Sequence, residues 1–286
     1  MENKIIWLAS YPKSGNTWFR SFLTALLNQG EIDINKMETD GIFSSKEYIE
    51  SILDICTDDL RPRELESFRK VAFTYKAQEI QKESFVKIHD AYTYSRWDGL
   101  PLIPAYGSRV ALYLVRNPLD VVLSLANHTG LNVEDTINKY MNCEEGAFVK
   151  KGKTAQQYYQ LMGTWAMHAS SWMNQKDIPV HVIRYEDMKV KPFETFKIAV
   201  VQMQLDYSDE AILSAIEACD FKKLKQQEEN KGFKEKALPS SAFFFKGETG
   251  RWKQELTKGQ IIKIMTVNES MMKRFGYWEE VMNHIK

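Results

Sequence analysis

Trp7-Leu8-Ala9-Ser10-Tyr11-Pro12-Lys13-Ser14-Gly15-Asn16-Thr17-Trp18-Phe19-Arg20 reads as the end of a strand, a tight basic turn and the start of a helix. Ile5 to Ala9 is a continuous apolar run of strand length. Pro12 and Gly15 punctuate a turn, and Phe19, Phe22, Leu23, Leu26 and Leu27 recur at helical spacing. The turn therefore opens a helix, where unpaired backbone N–H groups and the positive end of the helix dipole converge. Lys13 adds a full charge, and Ser14 and Thr17 add hydroxyl donors, so a phosphate-like anion is the natural ligand. The order departs from the nucleoside-triphosphatase loop, because Lys13 stands ahead of Gly15 and no Gly-Lys-Ser/Thr ending follows. An ordinary strand-to-helix turn with a solvated lysine is the competing reading of so short a motif.

Downstream, two further strand ends carry polar chemistry. In Ser84-Phe85-Val86-Lys87-Ile88-His89 the alternation sends Phe85, Lys87 and His89 to one side and Val86 and Ile88 to the other, so two titratable groups share a face. Residues 109–115 form the clearest buried strand, and it stops at Arg116-Asn117-Pro118, with Pro118 suited to the first turn of a helix that carries Ser124. A last strand is expected over 180–184, leading into Tyr185-Glu186-Asp187-Met188.

Between these strands the sequence reads as helical. Tyr48, Ile49, Ile52, Leu53 and Cys56 mark one amphipathic face behind a Ser44 or Ser45 cap, and Leu65, Phe68, Ala72 and Tyr75 mark another, so residues 31–84 are expected to be a helical insertion. Further helices are expected over 133–141, 154–174, about 193–205 and about 258–275, with Ser208 capping another whose Ile212, Leu213 and Ile216 face inward. The lysines at 150, 151 and 153 read as a solvated charged turn or a mobile lid, Lys222 to Ser241 reads as irregular, and Tyr92, Tyr94 and Trp97 either wall a pocket or pack on the domain. Strands alternating with long helical stretches define an α/β fold with a central, mainly parallel sheet, whose ligands gather at the carboxyl ends of the strands.

Composition sets limits on partners. The chain has 286 residues, 44% of them hydrophobic, which suits one domain over 1–286 with no dividing linker. With 38 basic and 38 acidic residues it carries no formal net charge, which argues against nucleic acid and anionic membrane as general partners. Three widely spaced cysteines suggest a reducing compartment, and no apolar run approaches membrane-spanning length, so a cytoplasmic protein without membrane insertion is expected.

Taken jointly, Tyr11 to Trp18, Lys87-Ile88-His89, Arg116-Asn117-Pro118 through Ser124, Tyr185 to Met188, and Lys246-Gly247 through Gly250, Trp252 and Lys253 resemble the cytosolic-type sulfotransferase family, in a small, bacterial-like form. The match in order and rough spacing runs from residue 11 to residue 253. The resemblance implies a P-loop-like three-layer α/β/α domain that moves the sulfuryl group of 3′-phosphoadenosine 5′-phosphosulfate (PAPS) onto a hydroxyl of a small acceptor, without a metal. It also implies roles: Lys13, Ser14, Gly15, Asn16 and Thr17 at the 5′-phosphosulfate, Trp18, Tyr185 and Phe221 around adenine, and Arg116, Ser124, Lys246 and Gly247 at the 3′-phosphate. His89 becomes the catalytic base, titrating in the histidine range, with Lys13 and Lys87 as catalytic cations.

Two departures from the family pattern stand out. Phe245 occupies a position where the family commonly has arginine, so one phosphate contact is missing or supplied from elsewhere, and Asn16 replaces a frequent threonine with an amide that can also donate. The family's C-terminal dimer motif has no match in register, which leaves the oligomeric state open. A kinase-like phosphotransferase would need a magnesium carboxylate, for which Asp187 is the only and a poor candidate; a catalytically silent nucleotide-binding protein is the other alternative. The aromatic residues suggest an apolar alcohol or phenol as acceptor.

Overall fold

The computed structural model describes residues 3–148, 156–236, 240, 242–244 and 246–285, so Phe245 and the lysines at 150, 151 and 153 lie outside the described residues. Its main sheet contains β1 (Ile5–Ser10), β2 (Ser84–Ile88), β3 (Ser108–Val115) and, after a short antiparallel hairpin of β4 (Ala147–Phe148) and β5 (Gln160–Leu161), β6 (Val180–Arg184). The strand order is β2-β1-β3-β6 and every pairing is parallel. β1 is thus central: the chain leaves it for β2 on one side and then crosses to β3 on the other. That reversal opens a crevice at the carboxyl ends of β1 and β3.

The period of two along each strand builds two cores. Ile5, Trp7 and Ala9 of β1 join Ala111, Tyr113 and Val115 of β3 in one cluster; Ile6 and Leu8 join Val110, Leu112 and Leu114 in the other. The second cluster is closed by α1 (Asn16–Leu27) and by the helices Pro192–Gln202 and Asp209–Ala218; the first is closed by α2 (Lys46–Leu53), α3 (Pro62–Glu79), α4 (Pro118–Thr129) and the helices Trp165–Asn174 and Lys258–Arg274. Full burial of a Leu or Phe side chain contributes about 1.5–3 kcal/mol, which makes these alternating stripes the main force holding the three layers together. No helix among the described residues is long and apolar enough to cross a membrane.

Several local expectations are corrected. Cys56 lies beyond α2 and is exposed; the helix ends at Leu53 and starts from Ser45, whose hydroxyl accepts from the Tyr48 N–H. In α3 the inward face is Arg69, Ala72 and Phe73, while Tyr75 is exposed, because Phe73 fits between Trp7 and Phe43 and Arg69 reaches buried Asp90 at 2.9 Å. Leu213 is likewise exposed, and Ala215 turns inward with Ile212. The described part of 154–174 is a hairpin strand followed by a helix that begins only at Trp165, capped by Thr164. The stretch expected to be irregular contains a helix, Phe221–Lys231, in which Asp220 accepts from the Lys222 N–H and only Leu224 and Glu228 are buried.

Candidate active site

The turn after β1 is held open by its own side chains. Asn16 donates its amide to the Leu8 carbonyl at 2.8 Å and to the Ser10 hydroxyl at 3.1 Å, so its side-chain donors are used inside the turn and do not serve a ligand as expected. Ser14 is fully buried behind the turn and is absent from the cavity wall, and its Oγ has no partner among the described residues. Gly15 has φ of +97°, and a Cβ there would stand 2.6 Å from Cδ2 of Tyr185. Glycine is required both by the left-handed backbone and by the ring that roofs it.

The remaining site residues named from the sequence converge. Lys13, Gly15, Asn16, Thr17, Trp18, Lys87, His89, Arg116, Ser124, Tyr185, Phe221, Lys246 and Gly247 all line one cavity of about 610 Å³ at the carboxyl edge of the sheet. That volume suits a small ligand or nucleotide. The aromatic loop of Tyr92, Tyr94 and Trp97 contributes nothing to its wall; both tyrosine hydroxyls donate to Asp177 instead.

The cavity has a cationic end. Lys13, whose ammonium lies 4.0 Å over the Phe243 ring, has its pKa pulled from 10.5 down to about 7, first by burial and then by repulsion from Lys87 and Arg116. Lys13 itself makes no ion pair among the described residues, so its charge awaits an anion. Lys87 donates to Glu235 at 3.1 Å, and Glu235 also holds Arg20 at 2.8 Å, so the two cations keep its carboxyl well below the usual carboxylate range despite burial. Glu235 therefore corrects the expectation that only Asp187 offers a carboxylate: it stands in the cavity wall, engaged by two cations.

His89 sits among these charges. Its Nδ1 is 2.8 Å from the Ser10 carbonyl, which fixes the proton on Nδ1, and Nε2 has no hydrogen-bond partner among the described residues. Burial and the Lys87 charge lower its pKa well below 6.5, which corrects the expectation of an ordinary histidine titration. Its backbone carbonyl faces Nε2 of buried His168 at 3.1 Å, and His168 Nδ1 meets the Tyr113 hydroxyl at 2.8 Å, so the end of β2 is tied into the core.

The far end is braced by backbone. Arg116 donates to the Glu248 carbonyl at 2.7 Å and stacks 4.3 Å over Tyr185, while its Nε is buried without a partner among the described residues. Asp120 accepts from the N–H groups of Gly250 and Trp252, anchoring the 247–252 loop to α4. Gly247, at φ +65°, lies face to face with the Phe221 ring, where any Cβ would clash. Trp18 donates to the Cys219 carbonyl at 3.0 Å, and Lys189 lies 5.5 Å over the Trp18 ring and 5.8 Å over Phe221. Arg251, with its side chain 10% exposed, makes a forked pair with Glu255, which also meets Lys246 at 3.1 Å.

Residues that sequence reasoning did not single out complete the wall: Arg20, His128, Gln160, Lys189, Glu235 and Arg251. His128 was detectable, since it follows Ser124 by four residues on α4 and so shares its face. Glu235 lies among Lys231, Lys234 and Lys236 and carried no signal.

A nucleotide-sized cavity at the switch point of a parallel sheet, with clustered cations, an unused arginine donor and a histidine held neutral, defines a group-transfer enzyme for an anionic donor. The chain belongs to the sulfotransferase family: the sulfotransferase domain model matches residues 3–276. It is 22% identical over 292 residues to cytosolic sulfotransferase 17 of Arabidopsis thaliana, covering 94% of this chain and 75% of that protein. It is 25% identical over 275 residues to sulfotransferase 1B1 of Canis lupus familiaris, covering 93% and 82%. Among solved structures, mouse sulfotransferase SULT7A1 complexed with PAP superposes with a TM-score of 0.58 at 18% identity, over 99% of this chain and 89% of that one. Retinol dehydratase in complex with androsterone and inactive cofactor PAP gives 0.61 at 17% identity, over 96% and 82%. The three-layer P-loop-like fold is shared, and the chain is an enzyme of PAPS-dependent sulfuryl transfer to a hydroxyl.

Proposed function

We propose that this chain works as a single sulfotransferase domain, with His89 as general base and a small-molecule alcohol as acceptor. The observation that carries this reading is the pairing of His89 Nδ1 with the Ser10 carbonyl beside Lys13 and Lys87, which leaves Nε2 as the basic nitrogen at the cationic end. The donor pocket suits PAPS: Arg116 keeps a buried Nε without a partner among the described residues, Gly15 and Gly247 let the Tyr185 and Phe221 rings pack close over the turn and the loop, and Lys13 makes no ion pair among the described residues.

When bound, PAPS supplies the sulfuryl group, the acceptor oxygen forming a bond to sulfur as the bond to the 5′-phosphate oxygen breaks and the electron pair leaves on 3′,5′-adenosine bisphosphate (PAP). His89 Nε2 takes the acceptor's proton. Lys13, Lys87 and the helix N-terminus of α1 offer positive charge where negative charge develops. Trp18, Tyr185 and Phe221 would hold the base, Arg116 and Ser124 with Lys246 and Gly247 the 3′-phosphate, and the backbone of Gly15, Asn16 and Thr17 the 5′ end. Arg251 takes the place of the arginine absent at Phe245, since it lines the same cavity and Glu255 holds it beside Lys246.

The test is PAPS-dependent transfer of labelled sulfate to an alcohol panel together with PAP binding. Transfer with stoichiometric PAP release is expected. Absence of PAP binding at millimolar concentration, or transfer of phosphate from ATP instead, would overturn the reading.

A further inference from the structure

Resting on the sulfotransferase reading above, we propose that the acceptor is a neutral cyclic polyol, a sugar ring or cyclitol, seated on the wall formed by His128, Phe148 and Gln160. Phe148 and Gln160 are direct partners in the antiparallel pairing of β4 and β5, so their side chains leave the hairpin on the same side. The His128 ring lies 6.2 Å from the Phe148 ring and the Phe148 ring is stacked at 5.1 Å on Tyr140, which fixes the three as one contiguous surface. His128, Phe148 and Gln160 line the cavity that holds His89, and the hairpin is tied to the residues just after His89 by the Ala91 N–H donating to the Leu161 carbonyl at 2.8 Å.

Two polar atoms of this wall are buried without a partner among the described residues. Gln160, only 3% exposed, donates its amide to Gln157 at 3.0 Å and leaves Oε1 unpaired; His128 leaves Nδ1 unpaired. Burial, with Lys13 and Lys87 nearby, lowers the His128 pKa to about 4, so near neutral pH its ring is uncharged and has one accepting nitrogen.

An aromatic face flanked by two unpaired polar atoms matches a ligand that is apolar on its ring face and hydroxylated around its edge. A flat phenol or a simple alicyclic alcohol would cover the Phe148 ring but strand Gln160 Oε1 and His128. A polyol presents one hydroxyl to His89 and others to these two atoms, and a site built in this way discriminates strongly against ligands that lack the hydroxyls. The zero net charge of the chain and the engagement of Glu235 by Lys87 and Arg20 leave no unbalanced carboxylate on this wall to call for a cationic acceptor.

The test compares methyl β-D-glucopyranoside, methyl α-D-mannopyranoside and myo-inositol with cyclohexanol and 2-naphthol, by kcat/KM for PAPS-dependent transfer and by calorimetric binding to the enzyme–PAP complex. At least one polyol should exceed cyclohexanol and 2-naphthol about tenfold in both readouts. Gln160→Leu should then lower the polyol-to-naphthol ratio about ten- to hundredfold at unchanged PAP affinity, with His128→Phe as the second variant if the first does not fold. Preference for 2-naphthol or cyclohexanol over every polyol overturns the proposal, as does an unchanged ratio in both variants, and so does PAP binding with no polyol bound more tightly than cyclohexanol. Failure to bind PAP would instead overturn the sulfotransferase reading, so the two are separable.

Discussion

Binding of PAP should draw a proton onto Lys13, and the size of the effect follows from its surroundings. The ammonium is pulled down to about 7 by burial and by repulsion from Lys87 and Arg116, while a solvated lysine titrates at 10.5. A phosphate in the cavity supplies the missing negative charge, so Lys13 is charged in the complex. At about pH 8 only about one tenth of the free enzyme carries that charge, and binding therefore takes up about 0.9 proton, against about 0.1 at about pH 6. Above pH 7 the affinity should fall about tenfold per pH unit, as the free lysine must be protonated before it pairs. The phosphate groups of PAP lose their last proton near about pH 6 and contribute little at pH 8. Calorimetry in two buffers of different ionisation enthalpy reads the uptake directly. Lys13→Met should abolish it. Uptake below about 0.2 proton at pH 8 in the wild type, or equal uptake in the mutant, would refute the account of Lys13 as a desolvated cation awaiting an anion.

Four further outcomes are expected. His89→Asn should lower turnover about 10²- to 10⁴-fold at unaltered PAP affinity. Because only neutral imidazole accepts a proton and His89 is held neutral below 6.5, the acidic limb of wild-type kcat/KM should lie below that pH; a limb at or above it would remove His89 as the base. Gly15→Ala forces a side chain into a left-handed residue 2.6 Å from Tyr185, at a cost of about 1–3 kcal/mol, and should lower both Tm and PAP affinity; a wild-type Tm would mean that Tyr185 does not roof the turn. Arg251→Gln should weaken PAP about ten- to hundredfold and leave adenosine 5′-phosphosulfate, which lacks the 3′-phosphate, nearly unaffected. Parallel loss of both ligands would deny Arg251 its place at that phosphate.

What the sequence disclosed was local chemistry. The turn from Ser10 to Thr17 and the strand ends at His89 and Arg116 are short patterns whose geometry follows from the residues themselves, and the structure brings them to one edge of the sheet. The role of Asn16 was hidden because its amide is spent on residues six and eight positions back, a choice made by the curl of the turn. Glu235 meets Lys87 across 148 residues, a contact that no local pattern encodes. The helix Phe221–Lys231 escaped notice because only two of its residues are buried, so it carries almost no apolar stripe. The face of α3 was misjudged because two inward positions, Arg69 and Phe73, depend on Asp90, in the bend after β2, and on Trp7 of β1.

The salt bridges of Glu235 also govern how a ligand meets this protein. Glu235 offsets one of the two charges of Lys87 and Arg20 and the chain as a whole is electrically neutral, so the pocket's positive potential is local. At physiological ionic strength any residual field fades within about 8 Å, so a passing polyanion feels no long-range pull toward the cavity. Capture of the donor should then proceed at an unsteered rate that changes little with added salt, and inorganic phosphate should be a weak competitor, because selectivity is exercised only after the nucleotide has entered and met Arg116, Lys13 and the aromatic slot together.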